Sequence, residues 1–218
     1  MRVAGMPARE RSHNCGLCDC LNSKMYELMR RLRDILAAVL LLVALSPLLI
    51  GLSLAVRICI GRPVIFLQQR PGRHGKLFTL LKFRTMTIGD GDDASRLEGF
   101  GRLLRRTSLD ELPELWNVLR GDMSLVGPRP LLPEYLALYN EQQARRHEVR
   151  PGMTGWAQVN GRNSLTWPER FKMDVWYVDH RSMLLDVKII GMTCIQVFKT
   201  SEVSSQGHAT TEPFRGNE

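Results

Sequence analysis

The sequence predicts a mostly helical α+β fold, in which a globular domain with a β-hairpin follows an N-terminal re-entrant, or monotopic, membrane helix. Three observations predict it: a charge-free apolar run near the N-terminus, two strand-like segments directly after it, and helical periodicity in much of the remaining chain. The chain has 218 residues, enough for one domain with an appendage but not for two full domains. Hydrophobic residues make up 44% and charged residues 24%, which excludes a disordered chain.

The balance of charge is basic. Lys and Arg number 30 against 22 Asp and Glu, which gives a formal net charge of +8. Such an excess predicts a polyanionic neighbour, which could be nucleic acid, a phosphorylated substrate or anionic lipid. Charge alone does not choose among them.

The cysteines indicate a reducing compartment, since there are five of them, an odd number without framework spacing. Three of them, Cys15, Cys18 and Cys20, lie close to His13. We expect a polar, Cys-rich tail over residues 1–22 rather than a zinc site, because zinc sites usually draw ligands from two segments.

The apolar run from Ile35 to Val56 contains no charged residue. At about 1.5 Å per helical residue it is long enough to enter or cross a bilayer of about 30 Å. The run is too long and too far from the N-terminus for a signal peptide. The other alternative is a buried core helix, but such a helix seldom stays apolar on all sides over this length.

Two features favour a bent, re-entrant helix over residues 23–57. Ser46-Pro47 lies in the middle of the run, where the proline kinks the helix and the serine hydroxyl can satisfy a freed carbonyl. Basic residues flank the run on both sides, whereas a simple span is biased to one side; they are Lys24, Arg30, Arg31 and Arg33 before it, and Arg57, Arg62 and Arg70 after it. A kinked span remains the alternative.

The globular domain is expected over 58–200, followed by a polar, disordered tail over 201–218. Alternation and turn residues predict a hairpin with strands over 64–69 and 77–86. Helical spacing predicts helices over 97–105, 110–120, 133–149, 166–180 and 184–199, with a turn-rich loop over 150–162. Thr166 and Glu169 form a capping-box pattern at the start of one of them.

Two adjacent acids, Asp110 and Glu111, mark the candidate for chemistry. Pro113 fits only the first turn of a helix, which predicts Asp110 at or beside the N-cap. Neighbouring residues do not share a helix face, so we expect one acid to face a substrate and the other a metal ion. The alternative is that both acids simply cap the helix.

Basic residues surround this pair in the sequence. Arg105 precedes it, Lys82 and Arg84 are expected on one face of a strand, and Arg129 lies between Pro128 and Pro130, which stiffen its backbone. The forked guanidinium group suits phosphate oxygens. Carboxylates among cations therefore predict Mg²⁺-assisted phosphoryl chemistry on a nucleotide or a lipid phosphate.

These residues resemble the bacterial sugar transferase family, specifically its short monotopic phosphoglycosyl transferases. The resemblance extends from Lys24 to Thr200 and rests on the Ser46-Pro47 segment and on the strings KFRTM, SLDELPELWNVLRGDMSLVGPRP and RPGMTGWAQVNGR. It implies a UDP-sugar donor, a polyprenyl (undecaprenyl) phosphate acceptor, Mg²⁺, and a catalytic domain on the cytoplasmic face of the inner membrane. The implied reaction releases UMP and begins membrane glycan assembly.

The resemblance also implies roles for single residues. Asp110 matches the nucleophile of the family and Glu111 its metal-binding partner acid. Arg129, between Pro128 and Pro130, matches a donor-binding motif. Further active-site positions, without individual roles, are matched by Lys82, Arg84, Arg105, Arg162 and Asp174.

A non-catalytic basic module that binds anionic lipid or nucleic acid is the remaining alternative. Such a module has no need of an acidic pair, and this chain lacks the aromatic residues interleaved with basic ones that are typical of nucleic-acid binding, so we expect no nucleic acid. The identity of the sugar, the pathway and the oligomeric state, a homodimer included, stay open.

Overall fold

The computed structural model describes residues 17–87, 96–97, 99–161, 164–198 and 213–216. Within these residues the chain is mostly helical and carries two small two-stranded sheets, which confirms the predicted α+β class. The polar tails predicted over 1–22 and 201–218 lie largely outside the described residues.

Two helices meet at a sharp bend in the apolar run. Helix α1 spans Leu17–Ala44, so it begins before the predicted start at residue 23, and α2 spans Ser46–Cys59. No single helix in the described part of the chain suffices to cross a bilayer, whereas Lys24–Ala44 and Ser46–Cys59, bent by 64°, suffice together by length and composition. The bend lies at Ser46-Pro47 as predicted: the Ser46 hydroxyl donates to the Val43 carbonyl at 2.8 Å, and Pro47 occupies the first turn of α2.

The two helices present one face to the domain and the other to their surroundings. Ala38 packs with Phe78 in one core cluster, and Val56 packs with Leu104 in another. The opposite face is apolar and exposed over both helices: Leu36, Val39, Leu40, Val43, Leu48, Ile50, Leu54 and Ile58. The run is therefore not a fully buried core helix, and its outer face has the character of an interaction surface.

Most of the basic residues before the run contact protein rather than solvent. Arg30 donates to the Val126 carbonyl, Arg31 to the Val118 and Leu119 carbonyls, and Arg33 to the Asp186 carboxylate. These arginines are thus part of the fold, which weakens the interpretation of both flanks as headgroup ligands. Exposed flanking cations remain at Lys24, Arg57 and Arg62.

A β-hairpin follows the helices, as predicted. Strand β1 spans Ile65–Pro71 and pairs antiparallel with β2, Leu77–Phe83. The second strand ends at Phe83 rather than at Met86, because Arg84 donates its N–H to Val64 just before β1 and finds no further strand to pair with.

The predicted helix over 110–120 is divided in two. Helix α3 spans Gly99–Thr107, a 3₁₀ turn spans Leu109–Glu111, and α4 spans Glu114–Arg120. Pro113 has no N–H to donate to Leu109, so the chain tightens into i to i+3 bonds before α4 begins. The prediction of Asp110 at the N-cap of this helix is therefore wrong, and Pro113 holds that position without a side-chain cap.

A second sheet, which the sequence did not predict, pairs β3, Ser124–Val126, in parallel with β4, Gly152–Thr154. The two segments approach so closely that a Cβ on Gly152 would lie 2.0 Å from the Gly127 nitrogen, and one on Gly155 would lie 2.1 Å from the Gly127 oxygen. The predicted loop over 150–162 thus contains β4 and a short helix, α5, at Trp156–Val159.

The helix predicted over 133–149 is also divided. It consists of a 3₁₀ turn at Pro133–Leu138, a single helical turn at Glu141–Ala144 and a 3₁₀ turn at Arg145–Glu148. Asn140 causes the break, since its backbone is extended and its side chain accepts a hydrogen bond from Gln143 N at 2.9 Å, which starts a new helix there.

The last two helices agree with prediction. Helix α6 spans Trp167–His180 and begins with the Thr166–Glu169 capping box, and α7 spans Met183–Phe198. The predicted disorder over 201–218 does not hold at 213–216, where Phe214 is buried against Tyr135 and Phe171. Burial of this large aromatic side chain stabilises the docked segment.

Candidate active site

The Asp110 carboxyl group lies at the centre of the candidate site. It is 8% exposed, and within the described residues none donates a hydrogen bond to it. Ser108, two residues earlier, takes a left-handed conformation with φ of 57°, which is unfavourable for a residue other than glycine. Burial and the nearby Glu111 charge raise the pKa of Asp110 to about 6. The carboxylate is thus ionised at neutral pH and its oxygens are unengaged.

Glu111 has the opposite environment. Its Oε1 accepts hydrogen bonds from Lys82 Nζ, at 2.8 Å, and from Arg129 Nη2. Burial opposes ionisation of Glu111, but the charges of Arg129 and Lys82 outweigh it and hold its pKa well below the usual range. The two acids therefore differ in their partners within the chain, and neither one caps α4. The expectation that one faces a substrate and the other a metal ion stays a prediction.

A third carboxyl group, Glu114, completes the acidic cluster. It is 3% exposed and its Oε1 lies 3.0 Å from Lys82 Nζ, so the amine is shared between Glu111 and Glu114. Burial and the charge of Glu111 raise the pKa of Glu114 to about 7. Sequence analysis missed this residue, although its i+3 spacing from Glu111 was a usable signal.

Arg129 is held by its backbone and by its partner acid. Pro128 and Pro130 on either side are buried. The Arg129 carbonyl accepts a bond from Arg146 Nη2 at 2.7 Å, and Arg146 in turn pairs with Asp174 at 2.7 Å. Asp174 and Arg146 are each about 2% exposed, so Asp174 lies behind the site rather than in it.

The remaining predicted residues lie at different distances from the acids. Arg105 is close enough to lower the pKa of Asp110, and its Nε donates to Thr85 Oγ1 at 3.0 Å. Arg84 follows β2, and its buried Nε has no partner within the described residues. Arg162 lies outside the described residues. The structure thus brings together Lys82, Arg105, Asp110, Glu111 and Arg129.

An open pocket of about 340 Å³ adjoins these residues. Its polar lining consists of Arg70, Lys82, Glu114 and Arg129, and its apolar lining of Leu80, Pro130 and Leu131. Three cations and one acid make this a pocket for an anion. Arg70, like Glu114, is a polar lining residue that the sequence analysis did not assign to the site.

The carboxylates fit a magnesium ion only in part. No group of three or more His, Cys, Asp or Glu side chains in the described ranges could hold a metal by itself. Glu111 Oε2 accepts only a 3.4 Å contact from Arg129 Nη1, which leaves it available beside the unengaged Asp110 carboxylate. Mg²⁺ in proteins often uses one or two carboxylates together with substrate phosphates, and this donor set suits that arrangement.

Comparison with known proteins defines the class of this site. Residues 25–200 match the family model described as bacterial sugar transferase. The protein is therefore an enzyme, a transferase, and the alternative of a non-catalytic basic module is wrong. Because the match covers most of the chain, the protein belongs to the bacterial sugar transferase family.

Individual relatives differ in length. The chain is 52% identical over 196 residues to the uncharacterized sugar transferase EpsL of Bacillus subtilis, covering 87% of this chain and 97% of that protein. It is 44% identical to the undecaprenyl-phosphate glucose phosphotransferase of Komagataeibacter xylinus, covering 76% of this chain and 35% of that protein. It is 37% identical to the undecaprenyl-phosphate galactose phosphotransferase of Salmonella typhimurium, covering 80% and 40% respectively. The chain thus spans less than half the length of the latter two.

Proposed function

We propose that the protein transfers a sugar-1-phosphate from a UDP-sugar to polyprenyl phosphate and releases UMP. Two relatives are named as undecaprenyl-phosphate sugar phosphotransferases, which supports the acceptor and the group transferred. The reaction would be the first membrane step in assembling a bacterial glycan such as an O-antigen, a capsule, an exopolysaccharide or a glycoprotein glycan.

The observation that carries this proposal is the state of Asp110. A nucleophile needs an ionised group with a free electron pair close to the position of the substrate. Asp110 is a buried carboxylate that no described donor engages, and Lys82, Arg129 and Arg105 lie near enough to affect its pKa. Glu111, already bound to Lys82 and Arg129, is less suited to attack.

The reaction then proceeds in two displacements at one phosphorus atom. An Asp110 oxygen attacks the β-phosphorus of the UDP-sugar, the bond from that phosphorus to the bridging oxygen breaks, and UMP leaves. The product on the enzyme is an acyl phosphate that carries the sugar. A phosphate oxygen of the lipid attacks the same phosphorus, the bond to Asp110 breaks, and the carboxylate is restored as the polyprenyl diphosphate sugar forms.

The surrounding residues stabilise charge during these steps. Arg129 and Lys82 face the negative charge that develops on the phosphoryl oxygens, and Glu111 holds both cations in place. Asp174 orients the Arg129 backbone through Arg146 and acts as a positioning residue. Mg²⁺, held by Glu111 and Asp110 together with substrate oxygens, would neutralise the diphosphate and favour departure of UMP.

The membrane helix pair supports a location at the bacterial inner membrane, with the catalytic domain on its cytoplasmic face. The apolar outer face of α1 and α2 suits lipid, and the acceptor phosphate lies at the headgroup level. The 64° bend supports a re-entrant pair, which would return the chain to the side from which it entered and place α1 and the globular domain on one face of the bilayer; a broken span is the alternative that the labelling experiment below separates from it.

A covalent intermediate tests the proposal. The full chain in lipid nanodiscs is incubated with a panel of UDP-sugars and Mg²⁺ without acceptor, and the peptide that contains Asp110 is analysed by mass spectrometry. We expect one equivalent of sugar phosphate on Asp110 and an equal amount of UMP, both abolished by Asp110→Asn and by excess chelator.

Asp122→Asn provides the matched control, because Asp122 lies beyond α4 and its carboxylate accepts only a 3.4 Å contact from Asn117 Nδ2. It is expected to retain the adduct and the turnover. Near-normal turnover of Asp110→Asn would instead require direct attack by the lipid phosphate, and full turnover in chelator would remove Glu111 and Asp110 from the metal role. No UMP release with any donor would overturn the proposed function.

A further inference from the structure

Arg70 is a cation that forms no ion pair with any acid in the described part of the chain. It lies near the end of β1 and lines the 340 Å³ pocket together with Lys82, Glu114 and Arg129. Within the described residues, Lys82 and Arg129 form ion pairs with Glu111, whereas Arg70 forms none. Glu114 and Glu134 act on Arg70 only from beyond ion-pair distance, so its guanidinium group has no direct acidic partner among the described residues.

The register of the hairpin places the side chains of Arg70 and Lys82 on the same face. Arg70 pairs with Phe78 and Lys82 with Phe66, and residues directly opposite in an antiparallel pair point to the same face. Since side chains two and four residues apart on a strand also share a face, Arg70 and Lys82 extend from one side of the hairpin, with Leu80 between them.

The guanidinium group of Arg70 is held in place but not saturated. Its Nη2 donates to Gln68 Oε1 at 2.7 Å, which fixes its orientation. Its Nε is buried without a hydrogen-bond partner in the described part of the chain. Burial and the like charge of Arg129 lower the pKa of Arg70, and the charges of Glu114 and Glu134 offset this only in part.

A bound anion would provide both a hydrogen-bond acceptor and a negative charge for Arg70. An unpaired buried donor and two repelling guanidinium groups are unfavourable, and a dianion between them supplies both the acceptor and the opposite charge. Phosphate oxygens match the forked geometry of the arginine guanidinium group. The pocket is next to the acidic pair, because Lys82 and Arg129, which line it, are both ion-paired with Glu111.

We propose that Arg70 binds a phosphoryl oxygen of the phosphate-bearing substrate in this pocket, opposite Arg129, and is thus a further substrate-binding residue of the site. The inference rests on the proposed function for the identity of the substrate, but not for the anion site itself. The phosphoryl group belongs either to the diphosphate of the donor or to the acceptor lipid, and the binding experiment separates them.

Direct binding measurements test the site without turnover. The full chain in nanodiscs is titrated with inorganic pyrophosphate, with UDP and with a short-chain prenyl phosphate, and Arg70→Gln is compared with the wild type. A charge-assisted hydrogen bond contributes enough to predict a loss of about tenfold or more in affinity for at least one of these ligands. Arg120→Gln, at an exposed position at the end of α4, is the matched control and should bind as the wild type does.

A loss confined to pyrophosphate and UDP assigns Arg70 to the donor, and a loss confined to the prenyl phosphate assigns it to the acceptor. Equal affinity of a folded Arg70→Gln protein for all three ligands overturns the inference, as does absence of binding by the wild type. Arg70-dependent binding without UMP release from any UDP-sugar would support the anion site and overturn the proposed function. UMP release together with binding that does not depend on Arg70 would support the proposed function and overturn the anion site.

A second measurement avoids the variant and decides the matter if Arg70→Gln does not fold. Phenylglyoxal modifies accessible guanidinium groups, and modification at Arg70 and Arg120 of the wild type is compared by mass spectrometry with and without saturating ligand. Protection of Arg70 but not of Arg120 supports the site. Equal modification of Arg70 with and without bound ligand overturns it.

Discussion

At the scale of single residues, the reactivity of the site depends on which carboxyl groups are ionised. Glu111 is ionised throughout the physiological range because Arg129 and Lys82 lower its pKa. Burial and Glu111 raise the pKa of Asp110 to about 6 and that of Glu114 to about 7. The candidate nucleophile is therefore one of two acids whose charge changes close to neutral pH, and it is the more acidic of the two.

We expect the rate of covalent adduct formation to fall as the pH decreases through about 6, since only the ionised Asp110 carboxylate can attack phosphorus. Below this value each further pH unit should reduce the single-turnover rate about tenfold. Quenched-flow measurement of UMP release between acid and neutral pH checks this. Glu114→Gln removes the other acid that titrates in this range. If the rate of this variant still falls with decreasing pH, the fall is due to protonation of Asp110. A rate that is constant down to pH 4 would contradict the prediction.

The buried pair of Asp174 and Arg146 makes a second prediction at this scale. Removal of one partner from a buried ion pair leaves an uncompensated charge and typically costs about 3–5 kcal/mol. Asp174→Ala should therefore lower the free energy of unfolding by roughly this amount, and in the folded fraction it should reduce turnover by displacing the Arg129 backbone. Thermal unfolding and UMP release measure the two effects.

Asp179→Ala is the control for Asp174→Ala, because Asp179 lies on the same helix and pairs with Arg145 at a partly exposed position. Such pairs usually contribute about 1 kcal/mol or less. Equal destabilisation by the two variants would show that Asp174 does not have the special role in supporting Arg129 that its position indicates.

At the scale of elements, the bend between α1 and α2 decides how the chain meets a bilayer. Replacement of Pro47 by alanine and Ser46 by leucine restores a continuous helical backbone and removes the bond to Val43. We expect the double variant to straighten and to move the N-terminus across the membrane. An impermeant thiol reagent applied to intact cells should then label Cys15 or Cys18 in the variant and not in the unmutated protein, where labelling would indicate a simple span.

The elements also show what could be predicted from sequence. The Thr166–Glu169 capping box and the helix break at Ser46-Pro47 depend on residues close in sequence, and both were predicted. The prediction of one helix over 133–149 was wrong, because Asn140 caps a new helix in the middle of a segment whose helical spacing looks continuous. The parallel pairing of β3 with β4 was missed because no local signal joins segments so far apart.

The same distinction applies to the site. Asp110 and Glu111 are adjacent acids, Lys82 lies two residues before Arg84, and Arg129 stands between two prolines, so each was recognisable from its immediate neighbours in the sequence. Arg70 and Arg146 depend on the fold, since one acquires its place through the hairpin register and the other through burial against α6. Asp174 was placed by resemblance, and its position behind Arg129 became apparent only in three dimensions.

At the scale of the whole molecule, α1 is part of the domain as well as the first half of the bent apolar pair. Asp186, which is fully buried, is bound by Arg33 at 2.8 Å and by the Tyr177 hydroxyl at 2.7 Å. Arg31 holds the carbonyls at the end of α4, the helix that follows the acidic pair. Helix α1 and the helix that follows the acidic pair are therefore joined by direct hydrogen bonds.

We accordingly expect that a chain lacking residues 1–57 does not give a soluble, active domain. Its core would lose Ala38 and Val56, and Asp186 would remain buried without its arginine partners. Far-UV circular dichroism and size-exclusion chromatography of the truncated chain, beside the full chain in nanodiscs, provide the measurement. A monomeric, folded truncation that still releases UMP would contradict this account.

The close approach of Gly127 to Gly152 and Gly155 has a consequence for how variation in this protein is interpreted. This region joins the Arg129 loop to β4, and its geometry depends on side chains that are missing rather than on side chains that make contact. One added methyl group at Gly152 therefore pushes two backbones apart. The smallest possible increase in side-chain size at these glycines is enough to displace the segment that leads to Arg129.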